Sequence, residues 1–210
     1  MNPNVLGLLL TLLLILVCMG GGFLASKKYP ELARKIVHIG VCHWYLIYRF
    51  CFTGPLLSYI GLAAFAGINA FFNLSGLLEK LLGQKGKKNW GLVWYPLALL
   101  IMLFLCEHGI GDITTLGCAA LGLGYGDGLA ALVGKRFGKR AFTKDKTWAG
   151  SLTVFVMVTL VSFLLSKDLP MSLLCGLTGM LTEAFTPYNL DNFSVPFSIY
   201  AVAALWSAYV

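Results

Sequence analysis

The chain has 210 residues, 58% hydrophobic and only 12% charged, with a mean hydropathy of +0.79. A soluble domain of this size carries roughly a quarter charged residues, so the composition excludes an ordinary water-soluble enzyme. It points instead to an all-α, polytopic integral membrane protein folded as a single domain over residues 1–210. The net charge of +7 does not signal nucleic acid, because the cations are confined to short loops.

A spanning helix needs about 20 mainly apolar residues. In chain order the segments that qualify are 5–24, 36–53, 56–77, 91–106, 113–134, 148–165, 169–186 and 193–210, about eight transmembrane helices. The first has no Lys or Arg before its apolar run and reads as a retained span, not a cleaved signal. The second is interrupted by Arg49, which can snorkel to the outer interface. With the N-terminus outside and every segment crossing, connections 25–35, 78–90, 135–147 and 187–192 lie inside. The first three hold four, four and six of the 16 basic residues, and only Arg49 and Lys167 fall elsewhere. That is the positive-inside bias, and it places these loops in the cytoplasm. The absence of a transit or signal peptide gives a prokaryotic plasma membrane as the expected location. Lys80, Lys85, Lys87 and Lys88 read as topological charges in a connector. Cys18, Cys42, Cys51, Cys106, Cys118 and Cys175 form no CxxC pair and read as small buried hydrophobes.

Chemistry must come from few residues. Of nine acids, Glu31, Glu79, Glu107, Asp112, Asp145 and Asp168 fall in loops or at span ends. Asp127 sits inside a span, in a run otherwise uncharged from Asp112 to Lys135, where a carboxylate is costly and marks function. Glu183 lies near the inner end of the seventh segment, and Asp191 lies in the loop after it. All three approach one membrane face, beside a loop carrying Lys135, Arg136, Lys139, Arg140, Lys144 and Lys146. Carboxylates beside cations suit a site that handles Mg²⁺ and phosphates. Gly122, Gly124, Gly126 and Gly128 alternate around Asp127. They suit either close helix packing or close approach of backbone to a ligand. Arg34, Lys35 and His38 form a third cluster, with Arg34 and His38 four residues apart on one helix face.

Three blocks resemble one family. RKIVHIG at 34–40 is similar to an RKxxH block. GYGDGLAALVGKRFGK at 124–139, with KTWAGS at 146–151, resembles GDxxAxxxGxxxG followed by K[ST]xEGS. TEAFTPYNLDNFSVP at 182–196 resembles an ExxxP…DNxxVP block. The family is that of the CTP-dependent polyprenol and lipid-alcohol kinases, including dolichol kinase, phytol kinase and the CTP-using diacylglycerol kinase. It is related to the phosphatidate cytidylyltransferases. The resemblance implies phosphoryl transfer from CTP to a lipid alcohol dissolved in the bilayer. It implies Mg²⁺ held by Asp127 and Asp191, with Gly124, Gly126 and Gly128 near the nucleotide. Lys146, with Lys135, Arg136, Lys139 or Arg140, would neutralise phosphate charge. Asn192 would orient a phosphate or a metal-bound water, and Glu183 or His38 would receive the alcohol proton. Ala149 departs from the pattern, where the family often has Glu.

Two other functions fit parts of the pattern. A phosphatidate cytidylyltransferase could use the same metal and nucleotide, with Arg34 and Lys35 facing the lipid phosphate. A transporter or scaffold also carries acids within spans, but no inverted repeat is evident. The expected partners are CTP, a lipid alcohol and the bilayer. Nucleic acid is not among them, and a homo-oligomeric partner is left open.

Overall fold

The computed structural model describes residues 1–77, 90–187 and 190–209. Glu79 and the four lysines expected in the 78–90 connection lie outside the described residues. Within them the chain forms α1 (Pro3–Ser26), α2 (Pro30–Cys42), α3 (Trp44–Cys51), α4 (Pro55–Leu74), α5 (Gly91–Glu107), α6 (Ile113–Phe137), α7 (Trp148–Ser166), α8 (Leu169–Phe185) and α9 (Asp191–Tyr209). The β structure among the described residues is one isolated bridge between Ala141 and Thr147. Helices α1, α4, α6 and α7 are long and apolar enough to cross a membrane, and α5 and α8 are apolar but shorter. The eight-segment count rests on the charge pattern of the sequence.

Helix ends follow from side chains that satisfy free backbone donors. Asp112 accepts from the Thr115 amide at 2.7 Å and starts α6. Asp168 accepts from the Met171 amide at 2.9 Å and starts α8, while Trp206 on α9 donates to its other oxygen at 2.8 Å. These two acids are thus structural, as their positions at segment ends suggested.

The second expected segment is two helices instead of one. His43 Nδ1 faces the Ile39 carbonyl at 2.8 Å, so that nitrogen must carry the proton and donate. The His43 amide bonds the Gly40 carbonyl at 3.1 Å, which tightens the backbone between α2 and α3. The bare His43 Nε2 then accepts from the Tyr125 hydroxyl at 2.8 Å, which ties the break to α6.

α6 is the central helix, packed against α2, α5, α7 and α9. Lipid tails are as apolar as leucine, so close packing, not water exclusion, holds such helices together. Here small residues let neighbours approach. The alternating glycines divide between two faces, because residues four apart on a helix share one. A Cβ at Gly124 would overlap Cys42, and one at Gly128 would overlap Ile39, both on α2. Gly122 and Gly126 instead face Val158 on α7. The first pair sets how deeply α2 sinks onto α6, and therefore where Lys35 and His38 can reach. Cys18, Cys42, Cys118 and Cys175 are buried free thiols, while Cys51 and Cys106 are half-buried.

This packing separates two substitutions of equal chemical size. Gly124→Ala drives a methyl into Cys42 and should cost about 1–3 kcal/mol by overpacking. Gly122→Ala meets only ordinary contacts, Val158 at 3.5 Å and Ile199 at 3.6 Å, and should be near neutral. Thermal unfolding of both variants in detergent, followed by size-exclusion chromatography, checks the difference.

Candidate functional site

Lys35 and His38, three residues apart on α2, share the face that meets α6. Lys35 is 1% exposed, and its Nζ donates to Asp127 Oδ2 at 2.8 Å and to the Asp127 carbonyl at 2.9 Å. His38 Nε2 stands 3.5 Å from the same carboxylate oxygen. The imidazole stacks on Tyr95 with centroids 4.9 Å apart, and the Tyr95 hydroxyl donates to the Ala120 carbonyl at 2.6 Å. A buried charge needs a partner and hydrogen bonds to be tolerated. Asp127 and Lys35 supply these to each other.

A second cluster faces the first. Residues 138–147 form a small hairpin closed by the Ala141–Thr147 bridge, in which the Phe142 amide bonds the Lys146 carbonyl at 2.8 Å. The hairpin is braced by Phe142 against Trp148, with ring centroids 4.2 Å apart. It aims Lys146 at the end of α8, where its Nζ pairs with Glu183 Oε1 and lies 3.6 Å from Asp191 Oδ2. Asp191 Oδ1 accepts from the Asn192 amide at 3.0 Å and from Asn192 Nδ2 at 3.2 Å. Burial pulls the Lys146 pKa down, but the Glu183 and Asp191 charges outweigh it and hold the ammonium above its ordinary value. Burial and the nearby Asp127 charge push the Asp191 carboxyl up, only partly offset by Lys146.

The two clusters border one cavity of about 860 Å³. Asp127, Glu183 and Asp191 line it together with Lys35, Lys146, Arg34, Lys135 and Lys144. Connections 25–35 and 135–147 therefore meet Pro187 and Asp191 at one end of the bundle, as the sequence pattern required. Not every expected residue is there. Arg136, Lys139 and Arg140 are exposed and off the lining. Gly124, Gly126 and Gly128 lie in helix contacts, away from the cavity wall. His38 stands behind Asp127, and Asn192 behind Asp191, instead of on the lining. Ala149 is also off the lining, although its neighbours Gly150 and Ser151 are on it.

Lys35 and Ser151 carry more of the site than the motifs alone assigned. The signal for Lys35 was its three-residue spacing from His38. Ser151 is 1% exposed with its hydroxyl lacking a protein partner, and Glu183 Oε2 and Asn192 Oδ1 are likewise buried and unpaired. Among the described residues no three His, Cys, Asp or Glu side chains form a closed metal cage. Mg²⁺ does not need one, because one or two carboxylates plus substrate phosphates usually hold it. Asp127 and Asp191, both on the cavity wall, are the carboxylates that fit that requirement.

No protein-family model matches the chain, and no solved structure matches it. Curated proteins do. The chain is 30% identical over 189 residues to phytol kinase of Synechocystis sp., covering 81% of this chain and 77% of that protein. It is 29% identical over 213 residues to the probable chloroplastic phytol kinase of Triticum aestivum, covering 83% and 67% respectively. To the probable chloroplastic phytol kinase 1 of Oryza sativa subsp. japonica it is 28% identical over 222 residues, covering 89% and 68%.

The Asp191 shift is also a statement about stability. A carboxyl raised in the folded state favours the folded form when protonated, and that advantage is lost as pH rises through the folded pKa. Ionising Asp191 therefore costs more in the folded, ligand-free protein than in the unfolded chain. Asp191→Asn should raise the thermal midpoint near neutrality, and the gain should shrink toward about pH 4, where an ordinary aspartate protonates. Melting curves of both proteins across that pH range check the sign.

Proposed function

The chain belongs to the phytol kinase family, and from that premise we propose that it transfers the terminal phosphoryl group of CTP to the hydroxyl of a membrane-dissolved lipid alcohol. It is a phosphotransferase with an alcohol as acceptor. The observation that carries the finer reading is the cavity itself: three carboxylates and two buried or half-buried lysines, in two facing clusters, at one end of an apolar helix bundle. Phosphoryl transfer asks a protein mainly for positioning and charge neutralisation. A site with paired charges of both signs can give both.

Asp127 and Asp191 would hold Mg²⁺, with Asn192 steadying the Asp191 carboxylate from behind, and the ion would supply charge that neutralises the nucleotide phosphates. Lys146 is half-buried and paired only with carboxylates, so an arriving triphosphate competes for it. Transfer of Lys146 to the phosphate oxygens releases Glu183, whose second oxygen already lacks a partner. Glu183 then accepts the alcohol proton. The alcohol oxygen forms its bond to the γ-phosphorus, the bond from that phosphorus to the β-bridging oxygen breaks, and CDP leaves. His38 lies behind Asp127 and off the cavity wall, which makes Glu183 the better placed proton acceptor. Arg136, Lys139 and Arg140 act at longer range, drawing the anionic nucleotide toward the loop. With the basic loops on the cytoplasmic side, CTP arrives from water and the alcohol from the bilayer.

Phytol is the first acceptor to offer, because the relatives are phytol kinases by name. Purified protein in lipid micelles with Mg²⁺ and CTP should release CDP only when a lipid alcohol is present. Pyrophosphate released with phosphatidate would instead make the chain a cytidylyltransferase.

Asp127→Asn should lower turnover at least about 10²-fold, on the scale of losing one electrostatic contact to the transition state. It also strands Lys35, and breaking a buried pair by removing one partner costs about 3–5 kcal/mol. The double variant Asp127→Asn with Lys35→Met should recover much of the lost stability and none of the turnover. Recovered turnover in the double variant would remove Asp127 from the mechanism.

A further inference from the structure

The phosphate end of the cavity is accounted for, but the cavity is larger than three phosphates need. At about 860 Å³ it lies in the range of pockets that enclose a whole small ligand. Its lining changes character across its width. Beyond the charged floor it includes Phe185, Thr186 and Pro187 on one side and Thr143, Lys144 and Asp145 of the hairpin on the other. Phe185 is 72% exposed, although it ends the same helix that buries Glu183. Phe142 of the hairpin approaches it at a tilt, with centroids 6.2 Å apart and planes at 56°. That contact steadies the Phe185 ring and leaves most of it open.

We propose that Phe185 is the stacking platform for the nucleotide base and that Asp145 reads the edge of cytosine. This deepens the kinase reading and rests on it. The triphosphate beside Lys146 fixes one end of the nucleotide, and Phe185 is two residues beyond the Glu183 that Lys146 pairs with. An aromatic face accepts any base, since every base has a π surface, so stacking supplies affinity and not choice. Choice requires a polar edge contact. The cytosine exocyclic amine is a donor that a carboxylate accepts, whereas uracil presents an acceptor oxygen at that position. Asp145 is the acid of the hairpin tip, held in a turn by the Thr143 amide bonding the Lys146 carbonyl at 3.2 Å. A carboxylate there favours CTP over UTP and repels a ligand that offers only acceptors. The competing use of an exposed Phe near the membrane end is as an interfacial anchor.

Isothermal titration of the full chain in lipid micelles with Mg²⁺, using CTP and UTP, tests this alongside KM values for nucleotide and for phytol. Phe185→Ala should weaken CTP binding roughly ten-fold or more, the scale of losing one base stack. Phe185→Trp should recover that loss. Asp145→Asn should narrow the preference for CTP over UTP, and the KM for phytol should stay fixed throughout. Unchanged CTP affinity in Phe185→Ala, with a raised phytol KM or poorer retention in micelles, makes the ring an anchor and overturns the proposal. An unchanged CTP-to-UTP ratio in Asp145→Asn overturns the edge contact. Wild-type protein that phosphorylates a lipid alcohol from another nucleotide without binding CTP overturns this inference and leaves the lipid kinase standing. Absence of lipid-dependent turnover with any nucleotide overturns the kinase reading itself. In that case CTP binding that depends on Phe185 still supports the base site.

Discussion

The Lys35–Asp127 pair is the constraint on which the rest depends. Each charge alone would be prohibitive among apolar helices. Together they are tolerable only at hydrogen-bond distance, and the 2.8 Å contact requires α2 to lie almost against the α6 backbone. Side chains larger than hydrogen at Gly124 and Gly128 would hold the helices apart. The glycines around the acid are thus a condition for the acid being there. A Lys that bonds both the carboxylate and the carbonyl of one residue also fixes that carboxylate's orientation. One oxygen is committed to the protein, and the carboxylate still faces the cavity.

The second pair is built for the opposite purpose. Lys146 comes from a hairpin of ten residues with a single bridge, not from a packed helix, and it is divided between Glu183 and Asp191. Asp191 sits where burial and the Asp127 charge oppose its ionisation. Such an arrangement is poor for stability and good for exchange. On the proposed reading, an incoming group carrying both metal charge and phosphate charge would satisfy the acids and the lysine together and relieve what folding leaves unfavourable. The two ion pairs therefore divide the work: the one within the bundle positions, and the one at its edge trades partners.

Much of this was legible in the chain because polar residues are scarce in it. With nine acids in all, setting aside those at segment ends left Asp127, Glu183 and Asp191, and these are the three that meet. The basic loops were legible from topology, and the two that fall within the described residues, 25–35 and 135–147, converge on the cavity. The glycines were harder. Their every-other-residue spacing suited either close helix packing or close approach to a ligand, and successive even positions on a helix point about 200° apart. Physically they are two interleaved small-residue faces, one for α2 and one for α7. Which basic residue pairs with Asp127 was not legible either. Arg34 and Lys35 are neighbours in sequence, and only the rotation of α2 against α6 decides which of them turns inward. The break at His43 depends likewise on a partner, Tyr125, that lies 82 positions away.

The position of Ala149 bears on the one departure from the family blocks. It lies in the first turn of α7, while the residues of that turn on the cavity wall are Gly150 and Ser151. An α-helix turns about 100° per residue, so position 149 cannot share that wall without a change in the rotation of α7. Rotation is fixed by Gly150, whose Cβ would stand 3.2 Å from the Ala130 carbonyl of α6, and by Thr147, whose hydroxyl caps the Gly150 amide at 3.2 Å. The side chain at 149 therefore lies off the cavity wall that carries the charged floor. The loss of a carboxylate there leaves the three acids and two lysines of the floor intact.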